Sequence, residues 1–339
     1  MTPAPAPSGL PGSAEPLARR HDVILLDLDG VVYLGDQAAP GAVTALSDAR
    51  AAGARVAFVT NNASRTPEQV AAHLRALGVD ATADDVVTSA QAAVAVAAAR
   101  FGPAARVLVV GGEGLVAAAA AVGLERVGAA DDAPVAVLQG LSLDLAYADL
   151  AEATLAVRAG ARWIAANPDL TLPTARGLLP GNGALVAAVA AATGLRPTFC
   201  GKPEPPLFAE AVRRTGARCP LVVGDRLDTD IAGAARAGLP SLFVLTGVSR
   251  PRDLLAAGPG ERPTYVGRDL GALYRPQPAV ETAGCEARCG GWSVDLSEGR
   301  VRLAGDGDPV DGLRALAAVS WLAGGVPEDV DAALRTLGL

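Results

Sequence analysis

Val23-Ile-Leu-Leu-Asp27-Leu-Asp29-Gly30 is an aliphatic run that ends in two carboxylates and a glycine. Four consecutive aliphatic residues suit a strand covered on both faces, which is the usual state of a strand in a parallel sheet between helices. The predicted strand, 23–28, is followed along the chain by six further Val, Ile and Leu runs at 55–60, 106–110, 135–139, 162–167, 221–224 and 241–245. Ala-rich amphipathic stretches separate them. That alternation predicts an α/β protein with parallel sheets, and seven such strands exceed what one small domain needs.

Helix punctuation agrees. Thr66, Pro67 and Gln69 provide an N-cap, a first-turn proline and a capping-box partner, and Gly78 follows as a stop. After about residue 275 the alternation ends. Residues 275–284 have a linker's composition, and 291–304 read as a hairpin turning at Ser297, Glu298 and Gly299, followed by two helical stretches.

Composition narrows the function classes. The 339 residues carry a net charge of −7 with scattered arginines, which argues against nucleic acid or anionic membrane as a partner. No apolar run reaches the roughly 18 residues of a membrane span. Four cysteines without framework spacing suit a reducing cytoplasm. Residues 1–20, rich in Pro and Ala, read as a disordered tail rather than a secretion signal.

The chemistry-bearing residues stand at strand ends, where an open parallel sheet presents ligand-binding groups. Asp27 and Asp29 are costly there unless paired, hydrogen-bonded or bound to a metal, and period-two alternation points them to the same side. Thr60, Asn61 and Asn62 close the second strand with a hydroxyl and two amides that can donate to phosphate oxygens. Lys202, in Gly-Lys-Pro, is the chain's only lysine among 29 basic residues. Its compact ammonium can bridge a phosphate and a carboxylate. Val222-Val-Gly-Asp225-Arg-Leu-Asp228-Thr-Asp230 repeats the pattern of apolar strand and clustered acids, with Asp225 assigned to a cation and Asp228 to helix capping. Singly, each has a plainer reading as turn or cap chemistry. Together, oxygen donors at several strand ends suit Mg²⁺.

The ordered motifs D-x-D-G, T-N-N, G-K-P and G-D-x-x-x-T-D resemble those of the haloacid dehalogenase (HAD) superfamily of phosphatases, over residues 22–274. Asp27-Leu-Asp-Gly-Val-Val-Tyr-Leu-Gly35 is most similar to the class IIA branch. The resemblance implies a doubly wound, Rossmann-like core with an inserted α/β cap domain of that branch's kind and, here, a small C-terminal α+β appendage. The corresponding boundaries are a core in two parts, 21–92 and 197–274, a cap over 93–196 and an appendage over 275–339. It also implies roles: Asp27 as nucleophile, Asp29 as general acid and base, and Mg²⁺ held by the Asp27 side chain, the Asp29 carbonyl and Asp225. Thr60, the Asn61 backbone and Lys202 would hold phosphate oxygens, with Asp230 orienting Lys202 and Asn62 in support. Asn167, Asp169 and Asn182 resemble cap segments that face the substrate. The likeness is greatest to actinobacterial glycerol 3-phosphate phosphatases, which implies that substrate, with 2-phosphoglycolate or another sugar or nucleotide phosphate as alternatives. A small phosphorylated metabolite is then the expected partner, with a homodimer through cap or appendage as a further expectation.

Rival patterns are present. Gly112-Glu-Gly114-Leu-Val-Ala117 follows a strand as a dinucleotide-binding fingerprint does, with Asp131 and Asp132 downstream but in a loop. A phosphoacceptor signalling domain also gathers Asp, Thr and Lys, but carries its phosphoacceptor on a later strand than its acidic pair. Gly140-Leu-Ser142 lacks the last glycine of a hydrolase elbow. Cys285 and Cys289 lack the second pair a zinc site needs. His21 and His73 read as surface residues, and Trp292 and Trp321 as packing for the appendage.

Overall fold

The computed structural model describes residues 10–174, 176–297 and 299–339. It divides into two compact units, one comprising the chain to Ala57, Leu77–Val79 and Thr215–Leu339, the other Phe58–Ala76 and Asp80–Arg214.

In the first unit, Val23–Leu26 pairs in parallel with Pro220–Gly224, which pairs with Ser241–Val244, which pairs with Tyr265–Gly267. The strands are buried along their whole length, as the unbroken aliphatic runs require. The register sets Leu26 opposite Val223, and the Asp27 N–H donates to the Val223 carbonyl at 2.9 Å. Asp27 and Asp225 therefore leave neighbouring strands at the same end.

The first strand stops at Leu26, two residues earlier than the sequence suggests. The N–H groups of Val31, Val32 and Tyr33 all converge on the Leu28 carbonyl, so a tight turn replaces the extended backbone. Past Leu26 the alternation that set Asp27 and Asp29 on one side no longer operates.

The C-terminal segment forms a four-stranded antiparallel sheet, in the order Glu281–Ala283, Glu286–Cys289, Trp292–Ser297 and Arg300–Gly305, with helices Pro309–Ala323 and Val330–Thr336. The hairpin expected over 291–304 is present, although Glu298 of its turn lies outside the described residues. Leu313, Leu316 and Trp321 share a core with Phe243, Leu254 and Val266 of the parallel-sheet region. Trp321 also donates its indole N–H to the Leu254 carbonyl at 2.9 Å. The segment is thus packed as part of the first unit.

The stretch read as a tail is structured from Leu10 onward. Ser13 and Gln277 exchange backbone hydrogen bonds of 2.7 and 2.8 Å, and the Val280 N–H donates to Leu10. Leu10 and Leu17 are fully buried, each worth about 2 kcal/mol of apolar burial. Isolated leucines among Pro and Ala have no periodicity, which is why the sequence conceals this docking. His21, expected on the surface, is buried as well: its Nδ1 donates to the Cys219 carbonyl at 3.1 Å, and burial lowers its pKa.

In the second unit the end of Arg55–Thr60 pairs in parallel with Val86–Thr88, and five parallel strands follow the order Thr198–Phe199, Arg162–Ala165, Ala136–Gln139, Arg106–Val110, Glu125–Val127. Four helices, Ser89–Phe101, Glu113–Ala121, Tyr147–Arg158 and Asn182–Thr193, accompany them. Thr66 and Gln69 form the expected capping box, with bonds of 2.9 and 3.3 Å. An antiparallel hairpin, Thr171–Thr174 with Gly177–Pro180, was not legible. Among the described residues no helix is long and apolar enough to cross a membrane.

Candidate active site

Asp27, Asp225 and Asp230 each bring a carboxylate oxygen to within 4.8 Å of the other two. Asp225 is 0% and Asp230 1% exposed, so two of these charges are withdrawn from water. Buried carboxylates demand compensation. Donors supply part of it: the Val248 N–H reaches Asp225 Oδ2 at 2.6 Å, and the Arg226 N–H reaches Asp230 Oδ2 at 3.1 Å. A cluster of hard, anionic oxygen donors at this spacing fits a small divalent cation such as Mg²⁺.

Glycines make the crowding possible. Gly30 has φ +85°, and a Cβ on it would sit 2.5 Å from Asp225 Oδ2. A Cβ on Gly247 would overlap the same carboxylate, and one on Gly224 would overlap Asp230. Thr246, just before Gly247, donates its hydroxyl to the Gly30 carbonyl at 2.5 Å, tying the two approaches together. Gly247 and Val248 escaped the sequence reading because their contribution is a missing side chain and a backbone N–H.

Asp29 is placed differently. It is exposed, lies outside the three-carboxylate cluster, and accepts a 3.3 Å hydrogen bond from the Tyr33 hydroxyl at Oδ2. Asp230, expected to orient Lys202, also joins the cluster. Asp228 is no helix cap: its exposed carboxylate makes a two-pronged pair with Arg226 at 3.1 and 2.8 Å.

The other predicted site residues belong to the second unit, where Asn61 is the hub. Its Oδ1 accepts from the Lys202 N–H at 2.7 Å, and its Nδ2 donates to the Lys202 carbonyl at 3.0 Å and to both Asp169 oxygens at 3.2 Å. Lys202 is 3% exposed and donates from Nζ to the Val59 carbonyl at 3.2 Å. The Thr60 hydroxyl accepts from the Asn62 N–H at 3.0 Å. Asn62 Oδ1 in turn accepts from the N–H groups of Ser64 and Arg65, which fixes the turn after the strand. Asn167 and Asn182 join the same network, donating to the carbonyls of Asn61 and Asn167 at 2.6 and 2.7 Å. Ser89, absent from the sequence reading, adds a hydroxyl donor to Asn61 at 2.5 Å.

The dinucleotide fingerprint has another explanation. The Gly114 N–H donates to the Ser64 carbonyl at 3.0 Å, and a Cβ on Gly114 would lie 2.7 Å from the Ala63 carbonyl. The start of that helix is closed by the turn at 63–65, and its glycines permit this packing rather than a pyrophosphate's approach. Cys285 and Cys289 do not join a metal cluster among the described residues, and burial pushes the Cys289 thiol up to about 12.

Residues 24–125 match the family described as haloacid dehalogenase-like hydrolase, and residues 199–273 a second HAD-hydrolase-like family. D-glycerol 3-phosphate phosphatase of Mycobacterium tuberculosis is 52% identical over 314 residues, covering 90% of this chain and 87% of that protein. The chain belongs to the haloacid dehalogenase-like hydrolases. That relative is a phosphatase, and the chain is one too. Acid sugar phosphatase of Staphylococcus aureus is 40% identical, covering 74% of this chain and 96% of its own. The crystal structure of glycerol phosphate phosphatase from M. tuberculosis with magnesium superposes with a TM-score of 0.87 at 50% identity, covering 95% and 99% of the two chains. A nitrophenylphosphatase (NPPase) structure from Geobacillus stearothermophilus gives 0.68 at 37% identity over 74% and 97%. This hydrolase carries one further match, residues 289–339 with a GCN5-related N-acetyltransferase like domain, which takes in the last two strands and both final helices.

Proposed function

We propose that this phosphatase hydrolyses glycerol 3-phosphate to glycerol and inorganic phosphate. The observation that carries the substrate is the likeness to the mycobacterial enzyme over nine-tenths of the chain, C-terminal segment included, where the sugar phosphatases match only three-quarters. The 40% likeness to those sugar phosphatases favours a sugar phosphate as the second reading.

Asp27 is the nucleophile: a carboxylate oxygen forms a bond to phosphorus as the P–O bond to the glycerol oxygen breaks, leaving an aspartyl-phosphate. Asp29, exposed and held by Tyr33, gives its proton to the departing alkoxide, then takes one from the water that cleaves the acyl-phosphate. General acid catalysis of this kind is worth ~10²–10⁴-fold. Asp27, Asp225 and the Asp29 carbonyl hold Mg²⁺, with Asp230 as a further carboxylate in reach of it. The ion supplies charge neutralisation that lets an anionic carboxylate meet an anionic phosphate. Thr60, the Asn61 backbone and Lys202 take the remaining phosphate oxygens as charge redistributes. Asn62 supports them by fixing the turn.

The domain reading consistent with these roles is a core of 21–92 and 197–274, a cap of 93–196 and a C-terminal segment from 275. Four unpaired thiols support a cytoplasmic setting. The partner required is a small phosphorylated metabolite.

The test is phosphate release from glycerol 3-phosphate, 2-phosphoglycolate and a set of sugar and nucleotide monophosphates, with Mg²⁺ and with chelator. Glycerol 3-phosphate should give the highest kcat/KM, and Asp27→Asn should reduce it to background with no trapped phosphoenzyme. A sugar phosphate turned over faster would move the assignment to the second reading, and full activity in Asp27→Asn would refute the mechanism.

A further inference from the structure

Asn182 is 1% exposed at the start of the helix Asn182–Thr193, and its side chain makes one hydrogen bond, from Nδ2 to the Asn167 carbonyl at 2.7 Å. Its Oδ1, also buried, accepts nothing among the described residues. A buried amide left half satisfied costs stability relative to an apolar residue of the same shape. Packing alone therefore does not account for an asparagine here.

The surroundings are built to bring this amide in. A Cβ on either flanking glycine would overlap the carbonyl of Asp169, for Gly181, or of Pro168, for Gly183. The Gly181 and Gly183 N–H groups meanwhile donate to Leu170 and Asp169 at 2.9 and 2.8 Å. The Gly-Asn-Gly sequence is thus a close docking of the helix start onto 167–170. From there the path continues. Asn167 donates Nδ2 to the Asn61 carbonyl at 2.6 Å and accepts the Asp169 N–H at 3.2 Å. Asn61 grips the Lys202 main chain from both sides, at 2.7 and 3.0 Å. Gly201 permits the grip, since a Cβ there would lie 2.5 Å from Asn61 Oδ1 and 2.6 Å from the Ala166 carbonyl.

We propose that Asn182 is a positioning residue, which through Asn167 and Asn61 fixes the main chain of Lys202 and so couples the start of its helix to the lysine that binds phosphate. The proposal rests on the phosphate-binding role given to Lys202 above. It converts two residues expected to face substrate, Asn167 and Asn182, into parts of a relay whose output is the placement of one ammonium group. A displacement of even 1 Å from a remote change can cost about a hundredfold in rate, so the relay has kinetic weight.

Lys202 is the only lysine in the chain, so protein grown with ¹⁵N-lysine gives a single backbone amide resonance, that of the N–H bonded to Asn61 Oδ1. In full-length Asn182→Ala and Asn167→Asp this resonance should shift and its hydrogen exchange accelerate, with kcat/KM for glycerol 3-phosphate falling about tenfold or more. The chemical shift reads folded protein, and exchange is judged against each variant's global stability from urea melts, so that only acceleration beyond the loss of stability counts. A resonance and exchange rate unchanged from wild type in both variants would overturn the relay, whatever happens to activity. A moved resonance with unaltered kcat/KM would overturn its coupling to chemistry. Wild-type protein that releases no phosphate, yet shows the moved resonance in both variants, would instead sink the functional reading and leave the relay standing.

Discussion

Asp225→Asn separates the electrostatics of the carboxylate cluster from its shape. Asparagine keeps an acceptor for the Val248 N–H, which reaches Asp225 Oδ2 at 2.6 Å, and it removes one of three negative charges. Two unit charges at 4.8 Å repel by about 3 kcal/mol at the effective dielectric of about 20 that suits protein sites. Asp225 takes part in two of the three such pairs, and at 0% exposure water screens it little. Neighbouring donors and relaxation offset much of this, leaving a gain on the order of 1–3 kcal/mol for the metal-free variant. For a domain of 150–250 residues that is roughly 2–4 °C per kcal/mol.

With Mg²⁺ the order reverses. At a free concentration about 100 times Kd the wild type gains about 2.7 kcal/mol from binding, whereas the variant, short of a ligand charge, gains little over the same range. Calorimetric melts of both proteins in chelator and across a Mg²⁺ series test this directly. The expected result is a crossing: Asp225→Asn melts higher without metal and lower with it. A variant that responds to Mg²⁺ like wild type, or that melts lower in chelator, would refute the reasoning that repulsion relieved by a cation governs this site.

Gly30→Ala should weaken Mg²⁺ binding with little change in secondary structure, because the new Cβ meets Asp225 Oδ2 at 2.5 Å in a backbone at φ +85°; calorimetric titration of Mg²⁺ measures it, and an unchanged Kd would contradict the packing argument. His21 has its pKa lowered chiefly by burial, so the folded state binds fewer protons than the unfolded one and the stability that neutral His21 confers is present above about pH 6.5 and lost below it. Urea melts should accordingly show wild type more stable than His21→Gln at pH 7.5, with the gap narrowing towards pH 5.5; a gap that widens would reverse the sign. Arg314 is 1% exposed and bonds Asp311 at 3.1 Å through Nη1, while Nε and Nη2 find no partner among the described residues. Arg314→Met should therefore be neutral or stabilising in denaturant melts, whereas Asp311→Ala, which strands the guanidinium, should cost about 3–5 kcal/mol.

The sequence exposes what is written in side-chain type and period. Buried parallel strands appear as aliphatic runs, so 55–60 and 106–110 are found at the residues where they occur. Acids at the ends of such runs are conspicuous because an apolar context makes them expensive, which is why Asp27 and Asp225 stand out. Features that depend on backbone direction are hidden. Asp27 and Asp29 look equivalent under alternation, but the strand ends between Leu26 and Asp27, and the turn sends one carboxylate into the cluster and leaves the other exposed. Asp228 and Asp230 pose the same problem inside a single turn, where Arg226 draws the first outward by its side chain and engages the second by its N–H.

Glycine is the hardest letter to interpret, because its meaning lies in what comes close to it. Gly112 and Gly114 imitate a cofactor loop and in fact admit the turn at 63–65, while Gly181, Gly183 and, in the Gly-Lys-Pro motif, Gly201 are where the Asn182 network closes on Lys202. The role proposed for Lys202 requires a fixed main chain. The amides proposed to fix it, Asn61, Asn167 and Asn182, are separated by 106 and 15 residues, so nothing local in the sequence relates them. What relates them is that each glycine lets one backbone come close enough for a single amide to bridge. Site geometry here is consequently set by residues with little or no side chain, and the charged residues conspicuous in the sequence do their work at positions those glycines determine.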